Sequence, residues 1–131
     1  MEVLVPFDLT AASERALDHA VEAYGPRQDA AIRAISFGRS AEQAEYAATQ
    51  AVEDATENAA AAIHTEFVDA DRDRLDDTEY LVGRILDYAD ETGADVVVVG
   101  RHEQGRLESL ISKNTADGLI EASRYPVTVV P

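Results

Sequence analysis

Two stretches of this chain carry residues able to do chemistry. Asp8 directly follows the run Val3-Leu4-Val5-Pro6-Phe7. A carboxylate at the end of an apolar run can accept hydrogen bonds from a ligand amine or hydroxyl. It can equally orient or cap a helix that begins two residues later. The second stretch opens at Gly100, where Arg101, His102, Arg106 and Lys113 gather within thirteen residues. Glycine lets backbone N–H groups approach a phosphate, and a helix N-terminus favours an anion. The cluster therefore suggests a pocket for a small anionic ligand. The same cations can instead pair with local carboxylates such as Glu103 and Glu108. Gly100 and Gly105 fit neither the Walker A pattern nor G-x-G-x-x-G.

The remaining reactive side chains form no constellation. His19, His64 and His102 are far apart in sequence and lack metal-ligand spacing. The serines have no nucleophile-elbow context. Asp71, Asp73, Asp76 and Asp77 lack the glycine and terminal glutamate of a calcium loop. No cysteine is present, which removes thiolate chemistry and disulfides. Catalytic and metal-ligating residues are therefore expected to be absent, and the protein is not expected to be an enzyme.

These residues sit in a chain of 131 residues, 46% of them apolar, the size of one ordinary domain spanning 1–131. Asp and Glu number 26 against 11 Lys and Arg, a net charge of -15, and Lys113 is the only lysine. Such a surface repels phosphate backbones, so no nucleic-acid partner is expected. Self-repulsion at this density destabilises a compact state, and at about 1 M salt the screening length falls to about 3 Å. Acidic bias, scarce lysine and abundant alanine resemble proteins of salt-loaded archaeal cytoplasms. Uninterrupted apolar runs such as Val96–Val99 are far too short to cross a membrane. Met1 leads into apolar residues without a basic leader segment, so a cytoplasmic location is expected.

Strand and helix patterns alternate around these loops. Val3–Pro6 reads as a first strand. The stripe Ala12, Ala16, Leu17, Ala20, Val21 and Tyr24 predicts a helix over 10–24, capped by Thr10 or Ser13 and stopped by Gly25-Pro26. Ala30–Phe37 reads as strand two, 41–63 as an alanine-rich helix with His64 at its end, and Thr65–Val68 as a weak strand three. Residues 70–76 read as an acidic loop, and Asp76-Asp77-Thr78-Glu79 as a helix cap. Leu81, Ile85, Tyr88 and Ala89 share one face of a helix ended by Gly93. Asp95–Val99 reads as a strand buried on both faces. A last helix starts near Asn114, which with Asp117 forms a possible cap, and Val127–Val130 closes the chain as strand five. Pro126 and Pro131 flank that strand, as on a sheet edge. Alternating strands and helices imply right-handed crossovers and a parallel sheet covered on both faces. Ligands of such sheets lie outside the carboxyl ends of the strands, at the topological switch point.

The opening Val3–Leu17, the stretch Gly93–Gly100 and the ending Tyr125–Val130 resemble the universal stress protein family. The resemblance covers nearly the whole chain and is weakest between residues 37 and 75. It implies a Rossmann-like α/β fold, with a five-stranded parallel sheet in the order 3-2-1-4-5, helices on both faces and four helices in all. It also implies a homodimer built by antiparallel pairing of the last strands, here Val127–Val130. Nucleotide-binding members read adenine beside an aspartate corresponding to Asp8. They hold ribose and phosphates with a Gly-x2-Gly-x9-Gly-Ser/Thr loop. Gly100 matches the first glycine, but the second falls on Glu103, the third on Lys113 and the final Ser/Thr on Asn114. The resemblance thus implies a stress-response module with absent or weakened nucleotide binding and no cofactor. The alternative is an ATP or AMP sensor using Phe7, Asp8, Gly100, Arg101, Lys113 and Asn114.

Overall fold

The computed structural model describes residues 1–8, 10–37, 53, 60–68, 70–74, 77–101 and 113–131. The elements are β1 (Glu2–Pro6), α1 (Ala11–Tyr24), β2 (Ala31–Phe37), β3 (Ala62–Val68), a 3₁₀ turn (Arg72–Arg74), α2 (Thr78–Thr92), β4 (Val96–Gly100), α3 (Lys113–Ala122) and β5 (Val127–Val130). The strands form one parallel sheet in the order β3-β2-β1-β4-β5. This is the expected architecture.

Strand periodicity sorts the apolar residues onto two faces. Val3, Val5, Ile32, Ala34, Val96 and Val98 pack against Ala16, Leu17 and Ala20 of α1. Leu4, Ile35, Val97 and Val99 pack on the other side against Leu81, Ile85 and Ala89 of α2 and against Ala116 and Leu119 of α3. All five residues of β4 are buried, which is why its sequence is continuously apolar and does not alternate. From β2, Arg33 bridges Glu2 and Glu66, tying β1, β2 and β3 together on the α2 side of the sheet.

Local chemistry sets the helix ends. The Thr10 hydroxyl accepts from Ser13 N–H and caps α1. The Asp77 carboxylate accepts from Tyr80 N–H and caps α2. Gly93 ends α2 at φ 67, in the left-handed region that a residue with Cβ avoids. The Asp90 carboxylate accepts a hydrogen bond from the Tyr125 hydroxyl, anchoring the approach to β5.

Four expectations change. Residues 62 and 63 belong to β3, not to the preceding helix, and His64 lies in mid-strand. Ala60 and Ala61 form a bend, Glu53 is helical, and the rest of that expected helix lies outside the described residues. The acidic loop contains a 3₁₀ turn, held by Asp73 N–H donating to the Asp71 carboxylate and by the Tyr80 hydroxyl accepting from Asp71 N–H. Finally, α3 begins one residue before Asn114, which therefore stands within the first turn and not at the cap.

The buried helix face carries more stability than the caps. Ile85→Ala is expected to cost about 2–5 kcal/mol, against about 1 kcal/mol for Asp77→Ala, in chemical denaturation. The Asp90 hydrogen bond, ahead of partial desolvation, raises the Tyr125 ionisation above its ordinary range. That tie is complete at neutral pH and is lost as pH rises through the raised value. Tyr125→Phe should remove one alkaline-shifted step from a spectrophotometric tyrosine titration.

Candidate functional site

The crossover after β1 leads to β2, and the crossover after β4 leads to β5, on opposite sides. The switch point therefore lies between the carboxyl ends of β1 and β4. Val3 pairs with Val96 and Leu4 with Val97, and the two parallel strands run on from there to the same edge of the sheet. Phe7, Asp8, Gly100 and Arg101 thus share one short edge, as the sequence predicts.

Each has a definite local role. The Phe7 ring is buried in the α1-side core, and its N–H donates to Ile35 O at 2.8 Å, continuing the β1–β2 ladder one residue beyond β1. Asp8 is half-buried. Its Oδ1 accepts from Thr10 N–H at 3.2 Å and from the Thr10 hydroxyl. The Thr10 oxygen in turn caps α1, and the Ser13 hydroxyl donates back to Thr10 O at 2.9 Å. Asp8 therefore heads a short relay of hydrogen bonds that orients the first turn of α1. Of the two readings of Asp8, the helix-orienting one has direct geometric support.

Gly100 is required by packing. A Cβ at this position would collide with the Ala12 carbonyl oxygen and come within 3.1 Å of the Ala12 Cβ. The first turn of α1 lies directly against the end of β4, and only glycine leaves room for it. Arg101 N–H donates to Val130 O at 2.8 Å, so its backbone extends the β4–β5 ladder while its side chain is exposed.

Lys113 and Asn114 lie in the first turn of α3. Thr115 and Ala116, immediately after them, are buried, and Ala116 joins the cluster that contains Val99. This brings the start of α3 to the same edge of the sheet. His102, Glu103, Gly105, Arg106 and Glu108 lie outside the described residues. Among the described residues no group of three or more His, Cys, Asp or Glu side chains could hold a metal ion.

One residue was not singled out by sequence. Ser36 is buried near the end of β2, paired in register with Phe67, and its hydroxyl has no hydrogen-bond partner among the described residues. A serine in an apolar strand gives no sequence signal that separates a functional hydroxyl from a tolerated one.

Fold and strand order together define a Rossmann-like α/β protein with its topological switch point between β1 and β4. The family model described as the universal stress protein family matches residues 1–131, and the chain belongs to that family. Among solved structures, a universal stress protein from Archaeoglobus fulgidus aligns with TM-score 0.71 at 21% identity, over 100% of this chain and 98% of that one. A universal stress protein in complex with cAMP aligns with TM-score 0.74 at 19% identity, over 99% and 95%. The structure of a universal stress protein from Archaeoglobus fulgidus in complex with dAMP aligns with TM-score 0.65 at 20% identity, over 100% and 98%. No curated protein matches the chain. No helix among the described residues is long and apolar enough to cross a membrane.

If Gly100 serves packing, its replacement harms the fold without any ligand. Gly100→Ala is expected to cost about 1–3 kcal/mol in nucleotide-free protein, as overpacking against a fixed backbone does. Unchanged stability with lost nucleotide affinity would assign Gly100 to a ligand instead.

Proposed function

We propose that the chain acts as one domain in a dimeric, non-catalytic regulatory module of the stress response, cytoplasmic and with absent or weakened nucleotide binding. The observation that carries this reading is the packing of Gly100 against Ala12. It accounts for the one family glycine the chain keeps, without any phosphate. At the other three positions of the glycine loop the chain has Glu103, Lys113 and Asn114. A carboxylate repels a phosphate, and two side chains occupy places where backbone must come close.

A second reading is favoured by the structural neighbours solved with cAMP and dAMP. In it the site is an ATP or AMP sensor. Asp8 and the backbone of Phe7 would face the base, and Gly100, Arg101, Lys113 and Asn114 the ribose and phosphate, with lysine charge replacing backbone amides. Denaturing purified protein and assaying released nucleotide, followed by calorimetric titration with ATP and AMP, separates the two. The first reading expects no stoichiometric nucleotide and no saturable heat. Tight binding abolished by Lys113→Ala would establish the second.

The dimer is assigned to β5. Val97 N–H donates to Pro126 O and Arg101 N–H to Val130 O. By alternation along the strand, the N–H and C=O groups of Val127 and Val129 point away from β4, toward the open edge. A second copy can pair there in antiparallel fashion. Val129→Pro removes an outward N–H and leaves the β4 ladder whole, so it should shift the protein to monomer in light scattering without loss of helix content. Thr128→Pro, which strikes the inward ladder, should destabilise the fold itself.

The charge of -15 motivates a salt dependence for both fold and dimer. The melting temperature is expected to rise with KCl up to about 1 M, where the screening length is about 3 Å. A flat or falling curve would refute adaptation to high salt.

A further inference from the structure

The outer surface of the α2–α3 pair carries an apolar cleft of about 420 Å³ whose lining includes none of Phe7, Asp8, Gly100 and Arg101. Its floor is Val82, Gly83 and Leu86 from α2 with Gly118 and Ala122 from α3, and Glu79 and Glu121 stand over it from the two helices. Its two glycines differ in their reasons. A Cβ at Gly118 would lie 3.0 Å from Val82 Cγ2, so that glycine lets the helices pack. A Cβ at Gly83 would meet nothing within 4 Å. Glycine is disfavoured inside a helix, and nothing in the described fold requires it at position 83. It leaves the floor of the cleft flat, as close approach by another backbone demands.

We propose that this cleft is a docking groove for a basic amphipathic helix of a partner protein. The occupant is helical because both walls are helices whose backbone groups are already paired. An extended peptide would lose its backbone hydrogen bonds to water and find none in exchange, whereas a helix brings its own. It is basic because Glu79 and Glu121 are the charges that flank the floor, in a chain carrying -15 overall. A second copy of this chain is disfavoured as occupant, since it would bring the same carboxylates and the same net charge to face them. The partner helix therefore presents small or leucine-sized apolar residues at helical spacing, with arginine or lysine on both flanks.

The probe is a fluorescently labelled, hydrocarbon-stapled model helix with an Ala/Leu face flanked by Arg, followed by anisotropy in moderate salt. A matched helix with Glu in place of Arg is the charge control. The Arg helix should bind at least about tenfold more tightly than the Glu helix, a difference of about 1.4 kcal/mol. Gly83→Leu, which fills the floor, should lower that affinity at least about tenfold while circular dichroism shows the fold intact. Gly83→Ala should raise the melting temperature, confirming that nothing in the fold needs the glycine. The double variant Glu79→Lys with Glu121→Lys should reverse the charge preference. Equal binding of both helices, or binding indifferent to Gly83→Leu, overturns the proposal. So does self-association abolished by Gly83→Leu, which would give the groove to a second copy. None of these readouts depends on nucleotide, so they stand apart from the outcome at the strand-end site.

Discussion

The contact between the end of β4 and the first turn of α1 governs this structure. Gly100 and the Ala12 carbonyl oxygen approach too closely for any side chain to intervene. That approach sets where α1 begins above the sheet, and so where Leu17 and Ala20 land in the α1-side core. It also draws the β1 and β4 loops to one edge, which makes the switch point a compact place. The relay from Asp8 through Thr10 to Ser13 fixes the same helix end from the β1 side. Packing on one flank and hydrogen bonding on the other thus hold a single helix start. Loss of either would loosen the α1-side core.

The sequence was most legible where burial is complete or a cap has fixed chemistry. Val96–Val99 must be apolar throughout because both faces are covered, and an uninterrupted run shows this directly. Thr10, Asp77 and Gly93 are marked by residue type and spacing, and each stands where the chemistry demands. Legibility failed at β3. Most of it is exposed or only partly buried, and it begins Ala62-Ile63-His64, residues that suit a helix as well as an edge strand. Pairing with β2 decides the matter, through Ala31↔Ala62 and Ile32↔Ile63, and pairing over thirty residues leaves no local mark.

The site divides in the same way. That Asp8 and Gly100 stand at one edge of the sheet follows from topology, which the alternation of strands and helices already implies. Why Gly100 is glycine does not follow, because a strand-end glycine admits either a ligand or a neighbouring backbone, and only helix-to-sheet distance distinguishes them. The two roles of Asp8 are not exclusive in chemistry. A carboxylate offers about four acceptor positions, so orienting Thr10 does not by itself decide what a ligand could find there. The weight of the functional question therefore falls on the loop after Gly100, where Glu103, Lys113 and Asn114 stand at the positions of the family's glycine motif.

Charge adds a constraint that fold alone does not. Bringing two copies with a charge of -15 together costs Coulomb energy over their whole surfaces. A short edge offset by backbone hydrogen bonds can overcome that cost only where it adds no local repulsion. The two edges of this sheet differ in this respect. On β3 the edge carries His64 and Glu66, and Glu66 is held by Arg33, so charge stands along the strand that would have to be paired. Charged residues on an edge strand are the usual device against edge-to-edge association. On β5 the sequence Val127-Thr128-Val129-Val130 is uncharged and bounded by Pro126 and Pro131, which limit how far any added strand can extend. The acidic surface and the neutral edge are then complementary features. One keeps the protein dispersed through long-range repulsion, and the other leaves a single short register in which close contact costs least.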